Sequence, residues 1–207
     1  MRARKSDQVL EAARRVFLER GFDAATVEEV ALDAGVSKAT VYSNFRDKHA
    51  LLEAMIDRVT AESRAILSTA VQPLDEGGPL KERFTRVGIA LVRGVLRPEV
   101  IQLRRLALST AVEFPDSASL YWQRGPGATI EMLSGRLEAM NAAGEIACRH
   151  PGGTAALFAY ALIGPLQDRM LFEPTHAASD DDVTDHIERA VDMLLAAIRV
   201  PRRSAGS

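Results

Sequence analysis

The sequence predicts an all-α protein: three short helices, one long connecting helix and then a larger helical bundle. Apolar residues recur at three- and four-residue spacing along most of the chain. Gly and Pro fall mainly between these periodic stretches, and no run alternates apolar and polar residues as a half-buried strand would. With 207 residues, 47% apolar and 26% charged, the composition is that of an ordinary globular protein, one large domain or a small module fused to a larger one.

The first segment puts Val9, Ala13, Val16 and Phe17 on one face and stops at Gly21. Thr26-Val27-Glu28-Glu29 opens a second helix as a capping box, in which Thr26 and Glu29 satisfy backbone N–H groups that a helix start leaves free. Gly35 breaks the chain, and Ser37 caps a third helix through Phe45. Asp47 can cap a fourth, running to about residue 70, with Leu51, Leu52, Met55 and Val59 as its apolar stripe. Residues 73–79 form a turn-rich boundary. Beyond it the periodicity predicts helices at about 80–97, 99–113, 117–123, 126–143, 153–172 and 180–199. Pro165 lies within the fifth of these and is expected to kink or break it. The expected division is a module over residues 1–50 and a larger domain over 51–207.

Charge and motif content exclude several functions. Lys plus Arg is 26 against 28 for Asp plus Glu, a net charge of -2, so no uniformly basic coat exists. Residues 1–50 hold nine basic against eight acidic side chains, with Arg2, Arg4 and Lys5 at the very start. Cys148 is the single cysteine, which excludes an internal disulfide and a multi-cysteine metal site. Arg149 and His150 follow it and would favour a thiolate, but an inert cysteine is the preferred reading. His49, His150, His176 and His186 show no paired metal-ligand spacing, and neither a phosphate-binding Gly loop nor a nucleophile elbow occurs. No cofactor, metal or catalytic activity is expected. The N-terminus lacks the apolar core of a signal peptide, and the stretch Ala155 to Leu166 is too short to span a bilayer, so a soluble cytoplasmic protein without a membrane partner is expected.

Two short helices joined by a tight Gly-containing turn, with another packed across them, make a helix-turn-helix, whose second helix enters the DNA major groove. Here that helix is Ser37 to Phe45, presenting Lys38, Thr40, Tyr42, Ser43 and Asn44 while Val41 and Phe45 point inward. Asn can bond adenine, Lys can bond guanine or phosphate, and Tyr suits a phosphate oxygen. Lys48 adds a charge at the next helix start, where the helix dipole also favours phosphate. A short polar helix is otherwise only a solvated face.

The run from Gly21 to Ala31, then Ala34-Gly35-Val36-Ser37-Lys38-Ala39-Thr40-Val41-Tyr42-Ser43-Asn44-Phe45 and Asp47-Lys48-His49-Ala50-Leu51-Leu52, closely resembles the DNA-binding domain of TetR-family transcriptional regulators. The resemblance implies a homodimer, usually a repressor, that binds a pseudo-palindromic operator in double-stranded DNA and is released by a small molecule in its C-terminal domain. It assigns Ser37, Lys38, Thr40, Tyr42 and Lys48 to the DNA interface. Ser43 and Asn44 depart from the more frequent Tyr and His, and Ala39 from a frequent Gly, so base readout at these positions is expected to differ. Thr26 is either a phosphate contact or simply the cap. Arg2, Arg4 and Lys5 are an arm along the DNA or a solvated tail; Arg14 and Arg15 are the polar face of the first helix.

Leu106 to Leu171 resembles, more loosely, the C-terminal domain of one subgroup of that family, through Glu113-Phe114-Pro115, Arg124-Gly125-Pro126, Gly144-Glu145-Ile146 and Ala155-Ala156-Leu157-Phe158. The segment 153–172 is apolar nearly all round, and Ile187, Val191, Leu194 and Ile198 form a seam on the last helix. Phe158 and Leu162 with that seam are the expected dimer interface, against the alternative that both helices lie in a monomer's core. An effector pocket is expected between the helices at 80–97, 99–113, 117–123 and 126–143. Phe84, Phe114, Tyr121, Trp122, Met132 and Met140 are candidates to line it, with Gln102 or Arg104 orienting the ligand, and plain core packing is the alternative for each. A rival function is an all-α ligand-binding or protein-interaction module with a vestigial helix-turn-helix. Retention of Thr40, Tyr42 and Lys48 argues against it.

Overall fold

The computed structural model describes residues 2–173 and 179–198, with side chains from Lys5 onward. The side chains of Arg2 and Arg4, all of His176, and residue 199 of the last expected helix lie outside the described residues. Ten α-helices follow one another: α1 (Arg2–Arg20), α2 (Val27–Asp33), α3 (Lys38–Asn44), α4 (Lys48–Ala70), α5 (Leu80–Val95), α6 (Pro98–Ser109), α7 (Pro115–Trp122), α8 (Ala128–Ala142), α9 (Pro151–Phe172) and α10 (Asp180–Ala197). A 3₁₀ turn, Gln72–Asp75, follows α4, and a π-helical turn, Gln123–Gly127, lies between α7 and α8. The protein is all-α; among the described residues no helix is long and apolar enough to cross a membrane.

Local chemistry sets the early boundaries. The Thr26 hydroxyl accepts from the Glu29 N–H (3.2 Å), and the Glu29 carboxylate accepts from the Thr26 N–H (2.9 Å), so the capping box is complete. Ser37 Oγ accepts from the Thr40 N–H (3.1 Å), and Asp47 Oδ1 accepts from the Ala50 N–H (2.7 Å) at the start of α4. Between α2 and α3 the chain turns through Gly35 at φ +63°, the left-handed region that only a residue without Cβ enters at no steric cost.

The chain forms two compact units. The first joins Met1–Glu62 to Pro98–Gly125. Its core packs Val9, Ala13 and Phe17 of α1 against Val30, Val41, Leu51, Leu52 and Met55, together with Leu103 and Leu106 of α6 and Tyr121 of α7. Phe17, Phe22 and Phe114 stack edge to face, with ring centroids 5.6 and 5.0 Å apart. The helix-turn-helix is therefore completed by α6 and α7, and its compact unit extends past residue 50, where the sequence reading set its boundary.

The second unit joins Ser63–Arg97 to Pro126–Ser207. Phe84, Val87 and Leu91 of α5 pack with Leu133, Leu137, Phe158, Leu162, Ile187, Val191 and Leu194. Buried Arg83 donates to the carbonyls of Pro73 (3.2 Å) and Leu74 and to Glu145 (2.7 Å), tying the 3₁₀ turn to the segment after α8. Pro165 does not break α9. One turn earlier the Leu162 carbonyl accepts from the His186 ring (3.0 Å), a tie to α10 beside the point where the proline removes a backbone donor.

This core corrects the expected interface. Phe158, Leu162, Ile187, Val191, Leu194 and Ile198 are each at most 3% exposed within a single chain, so none is available to a partner. The seam on α10 is the face the chain buries against its own α5 and α9. Because α9 is apolar nearly all round, it leaves a different face outside: Leu157 is 73% exposed and Tyr160 50%, with Met193 of α10 at 55%.

Candidate nucleic-acid interface

Helix α3, the expected recognition helix, exposes most of the side chains its sequence predicted and holds several of them in local bonds. Ser37, Lys38, Ala39, Tyr42 and Ser43 are exposed, Thr40 and Asn44 are half-buried, and Val41 is buried beneath them. The Ser37 and Thr40 hydroxyls share a hydrogen bond of 2.9 Å. Ser43 Oγ and Asn44 Nδ2 both donate to the Thr40 carbonyl, at 2.9 and 2.7 Å. Asn44 thus keeps its oxygen free while its amide nitrogen is used within the helix.

The two lysines are held differently. Lys38 pairs with Glu28 of α2 and stands 5.7 Å from the Tyr42 ring centroid. That contact lowers the Glu28 pKa and raises that of Lys38, so both stay charged. Lys48 Nζ lies 4.3 Å from the Phe22 ring centroid and donates to the Asp23 carbonyl at 3.4 Å. Its ammonium sits on an aromatic face with no carboxylate partner among the described residues. Thr26 is occupied as the cap, and the two hydrogen bonds from it hold Glu29 below the usual carboxylate range. Asp47 is likewise held low, first by the Ala50 N–H and then by Arg46.

Sequence reasoning assigned no partner to several residues here. Arg46, directly after the recognition helix, has an 84% exposed side chain paired with Asp47 at 2.7 Å. Arg15 bonds Asp33 at 2.7 Å and Arg20 bonds Glu29 at 2.6 Å, so α1 is tied to α2 by more than its apolar face. His49 shares a 2.7 Å hydrogen bond with buried Ser117 of α7, and its ring lies 4.8 Å from Phe114. These partners are separated by up to 68 positions, so no spacing in the sequence could announce them.

The effector candidates fall apart into two groups. Phe84 (1% exposed) and Met140 (3%) are core of the second unit, where Phe84 meets Phe158 edge to face at 5.9 Å. Met132 packs against the same core. They are plain core, as the alternative reading held. In the first unit Gln102 and Trp122 are exposed, and Phe114 packs on Phe22. Tyr121 is 91% buried and hydrogen-bonded to Arg104; burial pushes its phenol pKa up against the opposing pull of that guanidinium. Cys148 is buried, its thiol donating to Thr154 Oγ1 at 3.4 Å. Among the described residues no group of three or more His, Cys, Asp or Glu is placed to hold a metal ion.

A tri-helical unit that exposes one short, capped polar helix beside two lysines defines a helix-turn-helix DNA-binding protein. Residues 9–55 match bacterial regulatory proteins of the tetR family, and residues 82–199 match the C-terminal domain of the AefR-like transcriptional repressor. The chain belongs to the TetR family of transcriptional regulators. The HTH-type transcriptional repressor BepR of Brucella suis biovar 1 (strain 1330) is 25% identical over 202 residues, covering 96% of this chain and 94% of BepR. The structure of the Flavonoid-responsive Regulator FrrA is 27% identical with a TM-score of 0.78, covering 97% of this chain and 99% of that one. A crystal structure from Mesorhizobium loti MAFF303099, assigned to the same family, superposes with a TM-score of 0.91 over 97% of this chain and 99% of its own, at 23% identity, a likeness of fold.

Proposed function

We propose that this regulator is a cytoplasmic, non-enzymatic repressor that binds a pseudo-palindromic operator as a homodimer and releases it when a small molecule binds outside the helix-turn-helix, within residues 51–207. The observation that carries the DNA-binding half is the exposed row of Ser37, Lys38, Ala39, Tyr42 and Ser43 on a capped helix over a closed core. Thr40 and Asn44 edge that row, with Lys48 and Thr26 beside it. Two such helices related by a two-fold axis require inverted half-sites. Leu157, Tyr160 and Met193 support the dimer, because large apolar side chains left exposed on adjacent helices suit burial against a second copy. The effector class follows from FrrA, a flavonoid-responsive relative over nearly the whole chain; an aromatic polyphenol is the proposed ligand.

Selection of bound duplexes from a random DNA pool, at low and moderate salt, tests this reading. Recovery of an inverted repeat whose binding weakens steeply with salt is the expected result. Recovery of no sequence at either salt, from folded protein, would replace it with an all-α module whose helix-turn-helix no longer reads DNA.

A further inference from the structure

We infer that Glu28 of α2 is a specificity-determining residue: with Lys38 it reads one guanine–cytosine base pair in each half-site, Lys38 on guanine and Glu28 on cytosine. This role rests on the reading of α3 as the helix that enters the major groove.

An acidic side chain is bonded to the leading end of that helix. On α2, Val27, Val30 and Ala31 are buried in the core, and Glu28 points outward. Its carboxylate accepts a hydrogen bond from Lys38 Nζ, ten positions further on and in the first turn of α3. The Tyr42 ring, its centroid 5.7 Å from the same ammonium, is a second neighbour of that group. Among the described residues no other carboxylate bonds a side chain of α3. The nearby acids have other partners: Glu29 has the Thr26 cap and Arg20, Asp33 has Arg15, and Asp47 has the Ala50 N–H and Arg46.

Stability does not account for the pair. The Lys38 and Glu28 side chains are 52% and 58% exposed, and an ion pair so open to water adds little to a fold. Its position matters more. Residues at the leading end of a recognition helix reach base edges, and a carboxylate bonded to the Lys38 ammonium is within reach of the same base pair.

What such a carboxylate tolerates is narrow, because it accepts hydrogen bonds and cannot donate them. Phosphates, guanine O6 and N7 and thymine O4 repel it, whereas the cytosine N4 amino group bonds it, as guanine O6 and N7 bond lysine. Guanine O6 and cytosine N4 are adjacent because they bond each other within the base pair. A lysine and a glutamate already in contact therefore match that edge as one unit. Adenine also carries an amino group, but beside it offers Lys38 the N7 acceptor alone where guanine offers two. On non-specific DNA, Lys38 reaches a phosphate only by leaving Glu28 or by bringing a repelled carboxylate with it. Glu28 thus weakens binding to the wrong sequence as well as favouring the right one.

Selection from a random duplex pool, run on full-length wild type, Glu28→Ala, Glu28→Gln and Lys38→Ala, tests this assignment. Wild type is expected to recover an inverted repeat with a fixed guanine–cytosine pair at one position of each half-site, preferred by about tenfold or more in competition binding. That position alone should become degenerate in all three variants. Glu28→Gln keeps the length of the side chain and can accept or donate, so it removes the selectivity without changing the shape. On a fixed duplex lacking the repeat, Glu28→Ala should bind more tightly than wild type. Its slope of log affinity against log salt should be steeper by about one, because Lys38 is released to a phosphate. A Glu28 that served only the fold would weaken all duplexes and lower the helicity while every base preference stayed intact, and that outcome overturns the assignment. So does a Glu28-dependent position that is not a guanine–cytosine pair. A repeat unchanged in the Glu28 variants removes this role alone. If folded wild type recovers no sequence, the reading of α3 as a DNA-binding helix falls and this role falls with it.

Discussion

In the proposed DNA interface Lys48 and Asn44 have different tasks, and their surroundings say why. The Lys48 ammonium lies on the Phe22 ring with only a 3.4 Å bond to a carbonyl, so it can turn to a phosphate at little cost. Lys48→Ala should weaken binding to all duplexes about equally and lower the slope of log affinity against log salt by about one. Asn44 donates its Nδ2 to the Thr40 carbonyl, which leaves its oxygen as the acceptor it would offer to a base in the proposed interface. Asn44→Ala should therefore cost affinity at particular base pairs, near the lower end of about 1–3 kcal/mol, and leave the salt slope unchanged. Competition binding against single-base operator variants at two salt concentrations separates the two. Equal, sequence-blind losses in both variants would refute this division. The cap residues Thr26, Ser37 and Asp47 were legible in the sequence because their partners lie three positions away. The Glu28 partner of Lys38 and the Ser117 partner of His49 were not, because tertiary packing brings them together.

Helix ends and helix faces obey separate rules here. The starts of α2 and α4 lean on Glu29 and Asp47, both held below the usual carboxylate range by backbone N–H bonds. A depressed carboxylate contributes stability above its unfolded pKa, near 4, and loses it as pH falls through the lower folded value. Helicity followed by circular dichroism should thus begin to fall below about pH 4, and Glu29→Gln should flatten that acid limb; an unchanged limb in the variant would dismiss the cap as its source. On faces, the periodic pattern located α9 and α10 and their seam but assigned the seam to the wrong neighbour. Periodicity reports that a face is buried, not which surface buries it. Gly88 shows how tight the actual neighbour is: a Cβ there would meet Ile187 Cγ2 at 2.6 Å and Leu162 Cδ2 at 3.3 Å. In an exposed helix Gly→Ala gains about 1 kcal/mol. Gly88→Ala should instead destabilise by about 1–3 kcal/mol, because both contacts are branched core side chains with no room to move; a raised melting temperature would contradict it. The face left exposed gives the complementary result. Leu157→Glu combined with Tyr160→Glu should yield a folded monomer by light scattering with unchanged helicity, and a dimer surviving both changes would move the interface elsewhere.

At the scale of the whole molecule, the proposed control of DNA binding is a question about two ligands on one chain. Helices α6 and α7 lie in the same compact unit as α3 and complete the helix-turn-helix core. A ligand that binds one arrangement of α4, α6 and α7 better than another shifts the population of that unit by its differential affinity and by nothing more. In the proposed mechanism His49–Ser117 and Phe22–Phe114 are the contacts that would carry such a shift to α4 and the segment after α1. Linkage then sets a strict condition. If effector lowers operator affinity by some factor, operator must lower effector affinity by the same factor, typically five- to 150-fold for couplings of about 1–3 kcal/mol. Titrating effector into free protein and into the operator complex, alongside operator binding with and without saturating effector, closes the cycle. Equal factors are expected. Breaking the His49–Ser117 bond with Ser117→Ala should shrink both factors together while each ligand still binds alone, because Ser117 lies on α7, outside the recognition helix. Unequal factors in a cycle at equilibrium would require a further state or a second bound ligand, and the two-state account of release would fail.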